Sequence, residues 1–193
     1  MLTALIVAVV VALGALVRGG SLHDLAETEF RWTPLLYGAL MLQIGFNVWN
    51  PSWLEGGGAL AVVLASNVGV AFWLVVNRAL PGLFLAGAGM ALNVFVIAAN
   101  GAMPVLERSA ELAGVTQSLD DAGLKHERLG DGTFAPWLAD VIPVPPTHEV
   151  LSVGDVVLAM GLAQLVAGRM TQHKKGRHRK QEEKTGASTP ASG

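Results

Sequence analysis

Hydrophobic positions in this chain fall into long unbroken blocks rather than at strand or surface-helix spacing. No charged residue occurs from Met1 through Val17, and residues 34–100 contain only Glu55 and Arg78. A helix apolar on all sides belongs in lipid, where it satisfies its own backbone and hydrocarbon offers no partner for a charge. The blocks predict about five transmembrane helices, over residues 1–17, 34–49, 58–76, 79–99 and 150–167. The expected fold class is therefore all-α: a polytopic membrane domain over residues 1–168, with a long loop, 100–149, between its last two spans. A basic, disordered tail over residues 169–193 follows.

The ends of the blocks carry their own signals. The first block would make a helix of about 26 Å, near the lower limit for crossing a bilayer. A cleaved signal peptide is the competing reading, but it needs a basic region ahead of the apolar run, and here Arg18 follows it. An uncleaved first span with Arg18 at its cytoplasmic edge is expected. Ser21-Leu-His-Asp24 has capping-box spacing for a short helix, and Arg31-Trp32 suits a membrane interface. Asn50-Pro51-Ser52 ends the second span, with Trp49 and Trp53 as an aromatic anchor. Asn77-Arg78 is expected to be the whole link between the third and fourth spans. Gly69, Gly82, Gly87 and Gly89 read as sites of close helix packing. Within the loop, Val105–Leu112 and Leu119–Leu129 are candidate short helices. Trp137, Ile142 and the prolines at 143, 145 and 146 are expected to dock it on the membrane domain, with residues 115–132 its least ordered part.

Charge then sets the orientation. With 52% hydrophobic and 15% charged residues the composition is not that of a soluble domain. Counting alternate sides of a five-span chain gives ten Lys and Arg on one side: Arg18, Arg31, Arg78 and seven beyond the last span. The other side has three, Arg108, Lys125 and Arg128. The positive-inside rule makes the richer side cytoplasmic. The N-terminus and the loop are then outside a bacterial cell (inner) membrane and the C-terminus is inside. The loop has eight acidic residues against those three basic ones, a net charge of -5. The basic run beside the last span is expected to meet anionic lipid headgroups rather than nucleic acid. With no cysteine in the chain, disulfides, thiolate catalysis and cysteine metal sites are excluded.

Intramembrane polar residues are the candidate chemistry. Counted from the span ends, Gln43, Asn67, Asn93 and Asp155 fall at similar depths and predict a polar layer under the loop, with Asn47 and Asn100 nearer the surface. Asp155 is the foremost candidate, because a carboxylate in lipid is costly and its presence points to a function. Two blander readings stand beside it. In one the polar side chains simply bond one another as packing contacts; in the other the last span starts later and leaves Asp155 at the headgroups as a helix N-cap. His126, Asp140, His148 and Glu149 match no helical metal-ligand spacing, so no metal is expected. No phosphate-binding loop, dinucleotide fingerprint or nucleophile elbow occurs, and no cofactor is expected. Lys125-His126-Glu127-Arg128 reads as the solvated face of a short helix.

Several of these residues together resemble a known family. Arg18-Gly-Gly with Leu22 and Leu25, Arg31-Trp32, Gln43, Asn77 before Pro81-Gly82, and Asn93 form its first part. Asn100-Gly-x-Met-Pro104, His126, Trp137-Leu-x-Asp140 with Ile142-Pro143, and Ser152-x-Gly-Asp155 form the rest. The pattern resembles the bacterial multi-pass membrane proteins grouped as domain of unknown function 5317, over roughly residues 1–168. Ala102 and Ala139 stand where that pattern has glycine. The resemblance implies a polytopic membrane protein and supplies no activity. The leading expectation is an extracytoplasmic site formed by the loop and the polar layer, including Asp155, Asn93, Asn100, Asp140, Gln43, Asn67 and His126. It would serve a membrane or extracytoplasmic protein partner, a lipid or a small solute. A small transporter or channel subunit using Asp155 is the alternative, and a membrane-embedded enzyme using Asp155, Asp140 and His126 ranks third; the balance leans away from an enzyme.

Overall fold

The protein is described by a computed structural model over residues 2–49, 57–115 and 126–171. The Asn50-Pro51-Ser52 break, the anchor at Trp49 and Trp53, residues 116–125 of the loop and the tail from 172 onward lie outside what it describes. The fold is mostly helical: α1 (Leu2–Val17), α2 (Leu22–Ala26), α3 (Thr33–Trp49), α4 (Gly57–Val76), α5 (Leu83–Asn100), α6 (Glu107–Ala113) and α7 (Val153–Met170). Three of these, α4, α5 and α7, are long and apolar enough to cross a membrane; the apolar stretches Ile6–Val17 and Thr33–Phe46 are shorter.

The long helices lie in the order α1–α7–α5–α4–α3, each packed on the next, and α1 and α3 share no substantial contact. The arrangement is thus an open row with α5 and α7 at its centre. Trp73, Leu74, Leu83, Ala86, Met90, Leu158 and Leu165 form its buried core. The α5–α7 seam is tight because small residues meet across it. Gly82 lies against the Gly161 backbone, and Gly89 against Gly154 and Leu158, leaving no room for a Cβ at any of these glycines. Seven-residue spacing on both helices keeps the small residues on one stripe, and in lipid such close backbone packing is what holds helices together. Gly69 makes a similar close approach to Ala39 between α4 and α3, whereas Gly87 has only ordinary contacts.

Two helix boundaries differ from expectation for local reasons. The link between α4 and α5 runs from Asn77 to Gly82, because Pro81 offers no N–H and Gly82 takes a left-handed conformation at φ 78° before the helix starts at Leu83. The last helix starts at Val153 rather than 150 and continues to Met170, so Arg169 is helical rather than part of the tail.

The connection between α5 and α7 departs from all-α. Strand β1 (Met103–Val105) pairs in parallel with β2 (His126–Arg128), and β3 (Ile142–Val144) pairs antiparallel with β4 (Glu149–Leu151). Of the two helices expected here, the first exists as α6, while the described end of the second, His126–Arg128, is a strand. Its residues are therefore not the face of a helix. Asp140 joins the two small sheets: its N–H donates to the Pro104 carbonyl at 2.9 Å, and its carbonyl accepts from the Leu106 N–H at 2.9 Å. The Ser109 hydroxyl fixes α6 by donating to the Val141 carbonyl at 2.7 Å. Ala139 has φ −67° and ψ 174°, an extended backbone that needs no glycine.

This folded loop docks on the helices, but not through the side chains expected. Trp137 is 70% exposed and Ile142 is 37% exposed. Instead β1 and the 3-10 turn Pro136–Leu138 lie against α5, the same turn and β4 lie against α7, and Met103, Val105, Ala135 and Ala139 are among the buried side chains. The N-terminal turn of α1 also reaches the loop: Thr3 N–H donates to the Glu149 carboxylate at 2.8 Å. A carboxylate there satisfies a donor that the helix itself leaves open.

The opposite end is closed by short connections. Ser21 N–H donates to the Met170 carbonyl at 3.0 Å, and Arg169 Nε donates to Thr28 Oγ1 at 2.9 Å. Ser21 caps α2 as its spacing predicts, with a long 3.5 Å bond from Asp24 N–H. Asn77, only 4% exposed, accepts from the Arg31 N–H at 2.7 Å and donates to the Arg31 and Trp73 carbonyls at 3.0 and 2.9 Å. These bonds gather Arg18, Arg31, Arg78 and Arg169 at one end of the row, opposite the folded loop.

Candidate functional site

At the loop end of the α5–α7 seam, the stripe of small residues on α5 gives way to Asn93. Its amide occupies the space facing Gly154, where any side chain would overlap it. Ser152 is the N-cap of α7 and Asp155 its third helical residue, together forming a capping box: Asp155 N–H donates to Ser152 Oγ at 2.9 Å and Ser152 N–H donates to Asp155 Oδ2 at 3.1 Å. Asn93 closes the arrangement into a ring, donating from Nδ2 to Asp155 Oδ1 at 2.8 Å and accepting from Ser152 Oγ at 2.9 Å. Asp155 is therefore half-buried in the first turn of its helix, facing the positive end of the helix dipole. A cap of this kind is worth about 1 kcal/mol.

Asp140 lies at the same junction and is 5% exposed, the one buried ionisable side chain among the described residues. Burial, and secondarily the Asp155 carboxylate nearby, push its carboxyl up from 3.8 to about 8. It therefore holds its proton at neutral pH and can act as a hydrogen-bond donor. Loop and helices thus bring together one protonated acid and one bonded carboxylate.

Asn100 fastens the loop just beyond. Its Oδ1 accepts from the Phe134 N–H at 2.8 Å, and its Nδ2 donates to the Phe134 and Val96 carbonyls at 3.2 and 2.9 Å. Gly101 then turns the chain out of α5 at φ 85°, a conformation that favours glycine.

The other candidates are placed apart. Gln43 and Asn67 form their own pair between α3 and α4, with a long 3.5 Å bond from Gln43 Nε2 to Asn67 Oδ1, while Asn67 Nδ2 donates to the Val63 carbonyl at 2.8 Å. Among the described residues no hydrogen bond joins this pair to the Asn93 ring. The expected single layer is thus two pairs on different seams. His126 contributes its backbone to β2 beside Met103. Among the described residues no three His, Asp or Glu side chains are placed to hold a metal ion.

The sequence placed Ser152 and Asn77 in motifs but gave neither a structural role. The Ser-x-x-Asp spacing that marked Ser21 recurs at Ser152 and would have found it. Asn77 read as a link residue, and its burial depends on a partner 46 positions away.

The fold and its polar junction define a class: a mostly helical protein with apolar helices of membrane-spanning length and a folded loop built on two of them. The chain belongs to the family of unknown function DUF5317, whose model matches residues 27–167. It is similar to an uncharacterized protein of Thermotoga maritima, 36% identical over 90 residues, which are 45% of this chain and 51% of that protein. The chain thus spans about half the length of the curated relative it matches. No solved structure matches it.

Proposed function

We propose that this is a five-span protein of a bacterial cell membrane, with its N-terminus and loop outside and its C-terminus in the cytoplasm. On this reading the basic residues from Arg169 onward meet anionic lipid headgroups. The loop, Asp140, Asn100 and the Asn93–Ser152–Asp155 ring form one extracytoplasmic site for a partner protein, a lipid or a small solute, with Gln43 and Asn67 as a separate packing pair. The carrying observation is Asp140: an acid buried at the loop–helix junction, beside a second carboxylate, costs stability that a purely structural contact has no need to bear. The gathering of four arginines opposite the loop supports the orientation through the positive-inside rule.

Two experiments test this reading. A Cys introduced as Ser118→Cys should react with an impermeant reagent added to intact cells; reaction only after the inner face is opened overturns the orientation. Thermal unfolding in lipid nanodiscs, screened against lipids and solutes, should reveal stabilising ligands whose effect is lost in Asp140→Asn and Asp155→Asn. Ligands that stabilise both variants as well as wild type would place the site elsewhere.

A second reading, a small transporter or channel subunit, draws support from the same acid, since a carboxyl titrating near pH 8 beside another can exchange a proton with a coupled solute. The described helices form an open row rather than a closed ring, so this reading calls for a second chain to complete a path. Asp155→Asn would then preserve assembly and abolish transport, whereas Asp155→Leu would damage both by leaving Asn93 Nδ2 and the Ser152 N–H without their acceptor.

A further inference from the structure

Trp137 does not dock the loop, and its exposure calls for another partner. It belongs to the run Thr133–Ala139, which has no charged residue although the loop around it holds eight acids. Within that run Phe134 is 55% exposed, and its ring stacks edge-on against Phe95 of α5, itself half exposed, with centroids 5.8 Å apart. The aromatic patch of the loop therefore continues directly into the exposed apolar side of α5. Its position along that helix is fixed, because Asn100, the last residue of α5, bonds both backbone groups of Phe134.

The opposite end of the row carries the same arrangement. Asn77 bonds both backbone groups of Arg31, and the next residue, Trp32, 62% exposed, stacks edge-on against Phe72 of α4 at 6.4 Å. In each case the stacking helix residue lies five positions before the clamping asparagine. Between these ends α5 alone extends 18 residues, about 27 Å, close to the ~30 Å of a bilayer's hydrocarbon core. Tryptophan and its amphipathic ring favour the headgroup boundary at both faces of a membrane.

We propose that the Phe134–Trp137 segment is a membrane-interface anchor that seats the folded loop on the bilayer surface, with Trp137 in the zone between headgroups and acyl chains. Its partner is the lipid surface itself. Trp32 anchors the other face. The inference rests on the membrane-spanning reading above, and the test separates the two.

Because the chain has no cysteine, single nitroxide labels can be placed without altering any other residue. The full-length protein in nanodiscs is labelled in turn at Trp137→Cys, at Ser118→Cys in the charged part of the loop, and at Met160→Cys on the exposed side of α7. Accessibility to dissolved oxygen is measured against accessibility to an aqueous nickel chelate. The expected oxygen-to-nickel ratio at 137 is several-fold above that at 118 and approaches that at 160. A ratio at 137 equal to that at 118, with 160 in lipid, overturns the anchor alone. A water-like ratio at 160 overturns the membrane reading and the anchor with it.

Discussion

The two ends of the helix row are fastened by the same device and used differently. At the arginine end Asn77 bonds a residue in a short connection and is buried, and among the described residues that end is closed by α2 and the short links around it. At the loop end Asn100 makes the matching bonds to Phe134 in a more exposed setting, and above it stands a small folded unit containing the buried Asp140. One clamp closes a bundle, and the other holds down a structure that the bundle does not need for closure. The difference is that the loop end carries a buried acid, Asp140, and the arginine end, among the described residues, carries none.

The largest effect is expected where the loop end depends on the seam. Gly154→Leu would displace both Asn93 and the Gly89 backbone, and overpacking of backbone against backbone should exceed the usual ~1–3 kcal/mol and abolish recovery of folded protein. Size-exclusion profiles and thermal unfolding in detergent check this; a stable, monodisperse variant would mean the seam is looser than described.

The next effect belongs to Asp140 and has no counterpart at the arginine end. Unfolded, this carboxyl loses its proton near 3.8, and folded it keeps the proton to about 8. Between those values the unfolded state binds fewer protons, so stability falls as pH rises. The favourable contribution is complete below 3.8 and gone above about 8. At about 1.4 kcal/mol per unit this is on the order of several kcal/mol. Unfolding midpoints measured from pH 4 to 9 should decline for wild type and flatten for Asp140→Asn. Equal slopes for the two proteins would remove Asp140 from the account.

Smaller effects separate the clamps. Asn77→Ala leaves the Arg31 backbone groups without their partner and should lower global stability by about 2–3 kcal/mol. Asn100→Ala should cost about 1 kcal/mol and act locally, speeding amide exchange at Phe134 while leaving the helices protected. Equal global losses would show that the two ends are not used differently after all.

How much of this was legible follows from the physics of each part. Long charge-free runs mark helices directly, and Pro81-Gly82 marks where one begins. Depth along a span, however, gives a level and not an azimuth. Gln43, Asn67, Asn93 and Asp155 were therefore grouped by level although they face two different seams. The strands of the loop are three residues long, too short for a periodic signal, and β1 finds its partner β2 across 23 positions. The burial of Asp140 follows from its bridge to Val105 and was invisible for the same reason. Asp155, announced by its apolar surroundings, drew the attention that the structure divides between the two acids.

The central claim is that the segment between α5 and α7 is a folded unit fixed to the helices at Asn100 and at the Asn93–Ser152–Asp155 ring. Hydrogen exchange of the full-length protein in nanodiscs tests it most directly. Slow exchange is predicted at the amides of Leu106, Asp140, Val141 and Phe134, whose bonds hold the unit together and to α5. Uniformly fast exchange from Asn100 through Glu149 would contradict it.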